Sequence, residues 1–193
     1  MRTLLATALL GWTLALLAPP AAAVDVAPAD SSGNLRPKLE PHRQVSDAGG
    51  FSAVWPSGCA KLLTRVRQTE AGEPGVVDVT CRRFGDADRG CKVTVLKDFT
   101  PDRPPTPQIV VRNIEKLIRD LGLVVDHQSQ ITRHGHQGVA VFCHEKGGRR
   151  TLWVEGYVIG MQAVLVEAWD VDQRLLEDEQ IKAFFDSVVL LEE

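Results

Sequence analysis

The chain has 193 residues, 44% of them apolar and 24% charged, with 16 glycines, 11 prolines and a formal net charge of −3. That composition excludes a wholly disordered, collagen-like or polytopic membrane chain. The near-neutral charge also excludes a general nucleic-acid binder, which would carry a strong basic surplus.

Met1-Arg2 is followed by an apolar stretch from Leu4 to Ala18, then by Pro19-Pro20-Ala21-Ala22-Ala23. A short basic start, an apolar stretch and small residues before a cut describe a secretory signal peptide, with cleavage expected after Ala23. The stretch is too short, and too soon broken by two prolines, to serve as a spanning helix. The expectation is an exported protein, periplasmic or secreted, with no stable membrane insertion once the signal is removed. Val24 to Gly50 holds Pro28, Pro37, Pro41, Ser31-Ser32-Gly33 and Gly49-Gly50 without apolar periodicity, and reads as a flexible leader. A single domain is expected from Phe51 to Glu193.

Within that domain Phe51-Ser52-Ala53-Val54-Trp55 alternates and stops at Pro56, a short strand. Lys61 to Gln68, Val76 to Phe84 and Cys91 to Phe99 read as three more strands. The period then changes. Thr106 is placed to cap a helix that opens on Pro107, and Val110, Ile114, Leu117, Ile118 and Leu121 recur at helical spacing before Gly122. A four-strand meander follows, over Val124 to His134, Gly138 to Glu145, Arg149 to Ile159 and Gln162 to Trp169, separated by glycine-containing turns. The last element, roughly Gln173 to Ser187, is a helix that offers Leu176, Ile181, Phe184 and Phe185 to the sheet. The sequence therefore predicts an α+β fold: a mainly antiparallel sheet of about eight strands with two main helices packed on it.

Four cysteines, Cys59, Cys81, Cys91 and Cys143, all lie beyond the signal. An even count in an exported chain predicts two disulfides, with three possible connectivities. Cys81 and Cys91 flank the turn Arg82 to Gly90 and share strand parity with Val77, Val79, Val93 and Val95. That parity favours Cys81–Cys91, leaving Cys59–Cys143.

The strand order, together with Phe51-Ser52-Ala53-Val54-Trp55-Pro56 at the start, Gly138-Val139-Ala140 opening a strand and Phe184-Phe185-Asp186-Ser187-Val188 at the end, resembles the PsbP-like α/β/α sandwich. The resemblance covers Phe51 to Glu193. It implies a domain that binds or chaperones other macromolecules, and it supplies no catalytic residues.

Two chemistries remain to be placed. His134-Gly135-His136, with His144 on the next strand, offers three imidazoles to one zinc or copper ion, because positions i and i+2 of a strand share a face; a turn at Gly135 would point the rings apart. The carboxylates Glu145, Glu155 and Glu167 fall on adjacent strands. No Gly-x-Ser-x-Gly, phosphate-cradling glycine loop or calcium loop occurs, so no enzyme is expected and no resident cofactor. Charge is unevenly spread: Phe51 to Val166 holds 16 basic and 12 acidic residues, whereas Glu167 to Glu193 holds 2 basic and 9 acidic. Arg82 and Arg83 sit at one hairpin tip, Arg149 and Arg150 at another, and Glu177, Asp178 and Glu179 lie on the last helix, in the acidic terminal segment. These are the candidate interaction residues, the acids being free of any packing role. The sequence thus favours a non-catalytic accessory protein of the bacterial envelope acting on a protein partner, with metal binding at the histidines as the alternative.

Overall fold

The computed structural model describes residues 40–59, 61–171 and 175–191. The expected signal peptide and most of the expected leader lie outside the described residues. Strand β1 (His42–Ser46) falls inside the stretch read as leader. It pairs antiparallel with β2 (Phe51–Trp55), so the folded part begins before Phe51. A turn at Gly50, where φ is +65°, folds the chain back between these two strands.

The remaining elements follow the expected order. They are β3 (Leu62–Gln68), β4 (Pro74–Arg82), β5 (Gly90–Leu96), α1 (Pro107–Asp120), β6 (Leu123–Arg133), β7 (His136–Glu145), β8 (Thr151–Ile159), β9 (Gln162–Asp170), α2 (Glu179–Ser187) and β10 (Val189–Leu190). Strands β3 to β9 form one antiparallel seven-stranded sheet in the order β3-β4-β5-β9-β8-β7-β6, and β1-β2-β10 form a second, small sheet. The class is α+β, as the periodicity predicts.

Side-chain alternation divides the core into two halves, one on each face of the large sheet. Val110 and Ile114 of α1 pack on Val139, Val141, Leu152, Val154 and Leu165. Ile181, Phe184 and Phe185 of α2, with Phe51, Ala53 and Trp55 of β2, pack on Val77, Val79, Val93, Val95, Val164 and Val166. The β-branched residues of β4, β5 and β9 suit these positions because they fit the pleated surface between two layers. Gly156 lets α1 come close: a Cβ there would stand 2.3 Å from Val110 Cγ1 and 2.9 Å from Leu165 Cδ2. On the other face Trp153 stacks on Phe185 at 4.3 Å between ring centroids.

Three local expectations change. Thr106 occupies the N-cap position of α1 with extended backbone, but its side chain makes no capping hydrogen bond; Pro107 opens the first turn. Helix α2 starts at Glu179 rather than near Gln173, because Asp178 caps it, accepting from the N–H groups of Gln180 and Ile181. Leu176 therefore precedes the helix and is 48% exposed, while Leu175 takes the buried place.

The cysteine pairing also differs. Cys59 bonds Cys81, with a Cα–Cα distance of 5.5 Å, and Cys91 and Cys143 are buried free thiols. Cys81 does stand opposite Cys91 in register. The Arg83 N–H, however, donates to the Arg89 carbonyl at 3.0 Å, which places the 83/89 pair, and by alternation the 81/91 pair, in the hydrogen-bonded class. Side chains stand further apart there than at non-hydrogen-bonded pairs. Cys143 cannot reach Cys59: it belongs to the core beneath α1, whereas Cys59 belongs to the core beneath α2. The sheet lies between them.

Candidate interaction surface

The two basic hairpin tips lie at the same end of the large sheet. Gly90 of β5 pairs with Trp169, and Thr151 of β8 pairs with Asp170, so the β4–β5 turn and the β7–β8 turn flank the end of β9. Arg150 Nη2 reaches Asp88 Oδ1 at 3.2 Å and ties one tip to the other. Trp169 Nε1 donates to the Ala87 carbonyl at 3.1 Å, and Arg89 lies within 4 Å of both Asp86 and Asp170.

The start of α2 joins this end. Arg83 Nη1 donates to Asp178 Oδ2 at 2.7 Å, and Arg83 Nε donates to the Ser57 carbonyl at 3.3 Å. Ser57 in turn donates through both its N–H and its hydroxyl to Gln180 Oε1 of α2. Arg83, Asp178 and Arg150 are thus engaged inside the fold. Arg82, Arg149, Glu177 and Glu179 are exposed to solvent, and Glu179 pairs with Lys182 one turn on. The reading of Asp178 as a free surface acid is overturned by its cap and its ion pair. The sequence carries a hint of that role, an aspartate just before an amphipathic stretch, but nothing local ties Arg83 to it.

The most exposed large apolar side chain of this end is Phe84, 66% exposed. It sits in a single 3₁₀ turn, Arg83–Gly85, with φ of +54° and ψ of +23°. Left-handed backbone is uncommon for a non-glycine residue. Sequence reasoning placed Phe84 at the end of a strand and missed it as a surface feature.

The histidines are not brought together. His134 and Gly135 both have positive φ, and Arg133 pairs with His136, the geometry of a tight two-residue hairpin turn. His136 and His144 lie eight residues apart on the extended strand β7, about 27 Å at the usual rise per residue. His144 Nδ1 instead stands 2.7 Å from Asp126 Oδ1, at the bulge of β6. Among the described residues no group of three or more His, Cys, Asp or Glu side chains is placed to hold a metal ion.

The carboxylates separate likewise. Glu155 and Glu167 occupy neighbouring strands, but Glu155 pairs with Val166 and Glu167 with Val154, so they point to opposite faces. Glu155, 1% exposed, is gripped by Arg133 through two 2.8 Å hydrogen bonds, and Arg133 also reaches Asp186 of α2. The hydrogen bond to Glu155 raises the Arg133 pKa, so the guanidinium stays protonated. A groove of about 310 Å³ is lined by this pair together with Ile131, Phe142, Trp153 and Leu176. Glu167 is bonded to Lys92 at 2.8 Å, and burial pushes its pKa up against the pull of that lysine.

No family model matches the chain, and no curated protein matches it in sequence. Among solved structures it is similar to cyanobacterial PsbP (CyanoP) from Synechocystis, with a TM-score of 0.53 and 13% identity, over 79% of this chain and 94% of that one. A protein of unknown function from Pseudomonas aeruginosa aligns with a TM-score of 0.43 and 14% identity, over 80% of this chain and 99% of that one. The likeness to CyanoP is one of fold: this chain has the PsbP-like fold.

Proposed function

We propose that this chain is an exported accessory protein of the bacterial cell envelope, which binds a protein partner through a surface and performs no catalysis. The observation that carries the reading is the end of the sheet where distant segments are tied together. Two hairpin tips and the start of α2 are locked by Arg83–Asp178, Arg150–Asp88 and the Cys59–Cys81 disulfide. A surface held by contacts between distant segments loses little conformational entropy on docking, which favours binding. Glu155 and Glu167, the carboxylates nearest to an acid/base arrangement, are each held by a cation and face away from each other. Export rests on the basic, apolar and small-residue pattern of Met1 to Ala23. The Cys59–Cys81 bond suits an oxidising compartment.

The test is fractionation of the producing cells followed by N-terminal sequencing and crosslinking. The expected result is a protein beginning at Val24 in the periplasm or medium, crosslinked to a second protein. Intact Met1 on a cytoplasmic form would overturn the export reading. Absence of any protein crosslink would overturn the binding reading.

A further inference from the structure

The large sheet is open along β3. This strand ends the order β3-β4-β5-β9-β8-β7-β6, and among the described residues no strand pairs with its outer edge. Leu63 to Gln68 are all exposed. The direction of the β3 backbone groups follows from β4. The Arg83 and Lys97 N–H groups donate to the Arg89 and Gly75 carbonyls, so the odd-numbered residues of β4 bond β5. Val76, Asp78 and Thr80 therefore turn to β3, where they bond Arg67, Arg65 and Leu63. The N–H and C=O groups of Leu62, Thr64 and Val66 point outward instead. Such a row of unpaired groups is a template for an added strand.

The charge along this edge has one sign. No acid occurs from Lys61 to Gln68, whereas Lys61, Arg65 and Arg67 share one face by alternation and are all exposed. Arg82 of β4 is exposed on that same face. Its acids sit inward and are engaged. Asp78 accepts from the Thr94 hydroxyl at 2.7 Å and lies 3.8 Å from Arg67, and Glu167 is bonded to Lys92. Glu70, Glu73 and Asp98 lie at the turn end, beyond the register shift at Arg67/Gln68. Towards the open side, Arg65 and Arg67 occupy the positions that do not bond an added strand, where opposing side chains stand closest.

We infer that β3 accepts an extended segment of the partner protein as an added strand, and that this segment carries carboxylates at alternate positions facing Arg65 and Arg67. This rests on the binding reading above and names the chemistry of the partner. The edge is continuous with the tied end of the sheet, since Leu62 pairs with Cys81, to which Cys59 is bonded. A second copy of this chain does not fit. Setting outward residues against outward residues places Arg65 opposite Arg65 or Arg67, or Arg67 opposite Lys61, and like charges directly opposite destabilise a ladder. An anionic lipid or a nucleic-acid backbone would answer the cations but offers no alternating donors and acceptors to Leu62, Thr64 and Val66.

The probe is a soluble peptide of alternating glutamate and valine, added to the full protein and read by amide hydrogen exchange. The expected result is slowed exchange at Leu62, Thr64 and Val66, with Leu63 and Arg65, already bonded to β4, unchanged. A lysine–valine peptide should give no protection. Arg65→Gln with Arg67→Gln should weaken the glutamate peptide about fivefold, and Arg65→Lys with Arg67→Lys should retain it. No protection by the glutamate peptide would overturn the inference. So would equal binding after methylation of its valine nitrogens, which keeps the charge and removes the ladder, or the same protection by phosphatidylglycerol vesicles. Photoreactive p-benzoylphenylalanine at Val66, and separately at Gln130 of β6, in the producing cells separates this inference from the broader reading. A protein adduct from position 66, mapped to a segment with Asp or Glu at alternate positions, supports it. A protein adduct from position 130 alone overturns strand addition at β3 and leaves the binding reading standing. No protein adduct from either position, and none with a general crosslinker, would sink both.

Discussion

Arg83 and Asp178, 95 residues apart in sequence, meet at 2.7 Å, and the same aspartate caps α2. One carboxylate therefore closes the helix and fixes the β4–β5 turn against it. The Arg83 side chain is only 13% exposed, so loss of its partner leaves a poorly hydrated cation.

Asp178→Ala removes both the cap and the ion pair. A lost N-cap costs about 0.5–2 kcal/mol, and stranding a part-buried charge adds to it, so the expected destabilisation is about 2–3 kcal/mol. Glu177→Lys and Glu179→Lys, at exposed positions, should each change stability by about 0.5 kcal/mol or less. Urea unfolding of the three variants checks this contrast. Equal effects would remove the dual role of Asp178.

Peptide mapping without reduction should recover Cys59 linked to Cys81, with Cys91 and Cys143 as thiols. Burial pushes the Cys143 pKa up to about 11, and burial raises that of Cys91 as well, so both stay protonated near neutrality. Alkylation should therefore require denaturation, because the thiolate is the reactive form. The loop closed by Cys59–Cys81 spans a sequence separation of 22. Cys59→Ala with Cys81→Ala should cost about 3 kcal/mol. Recovery of a Cys81–Cys91 peptide as the main product would contradict the register argument.

Gly156→Ala should destabilise by about 1–3 kcal/mol, because its Cβ would overlap Val110 and force α1 away from the sheet. Adding Val110→Ala makes room for that methyl group. The double variant should lose less than the sum of the two single changes, and a double-mutant cycle in urea measures the coupling. Strict additivity would mean that α1 is not held by this contact.

Arg133→Met leaves Glu155 buried without its cation, an uncompensated charge worth about 3–5 kcal/mol of destabilisation. The double variant Arg133→Met with Glu155→Met should recover most of that loss, since an apolar pair of similar size replaces both charges. A double variant no more stable than Arg133→Met alone would show that the ion pair contributes more than its mutual compensation.

Glu167 predicts the sign of a pH dependence. Burial raises its pKa in the folded state above that of the unfolded chain, so the folded state holds the proton more tightly. Its contribution is fully present below the unfolded carboxyl pKa, about 4.3, and is lost as pH rises through the folded value. Stability of the native chain relative to Glu167→Gln should therefore fall as pH rises from about 4. Urea unfolding of both proteins across that range measures the difference. A rising difference would mean that Lys92 outweighs desolvation.

What the sequence determined was set by short-range chemistry. Apolar alternation from Val76 to Val95 and from Gln137 to Ala168 specifies strands, helical spacing from Val110 to Leu121 specifies α1, and glycines mark the turns, so the α+β class and the element order follow from local preference. The strands β1 and β10 were not legible, because His42–Ser46 is polar and β10 has only two residues. They exist because both can pair with β2. Everything that depended on which face a residue occupies was left to the tertiary structure. The sheet separates Cys59 from Cys143 and Glu155 from Glu167, the length of β7 separates His136 from His144, and strand pairing brings the tips bearing Arg83 and Arg150 to one end. Parity along a strand is local, but register, layer order and the meeting of distant loops are properties of the assembled sheet, and those decided which charges are exposed, which are paired within the fold, and that Phe84 faces solvent.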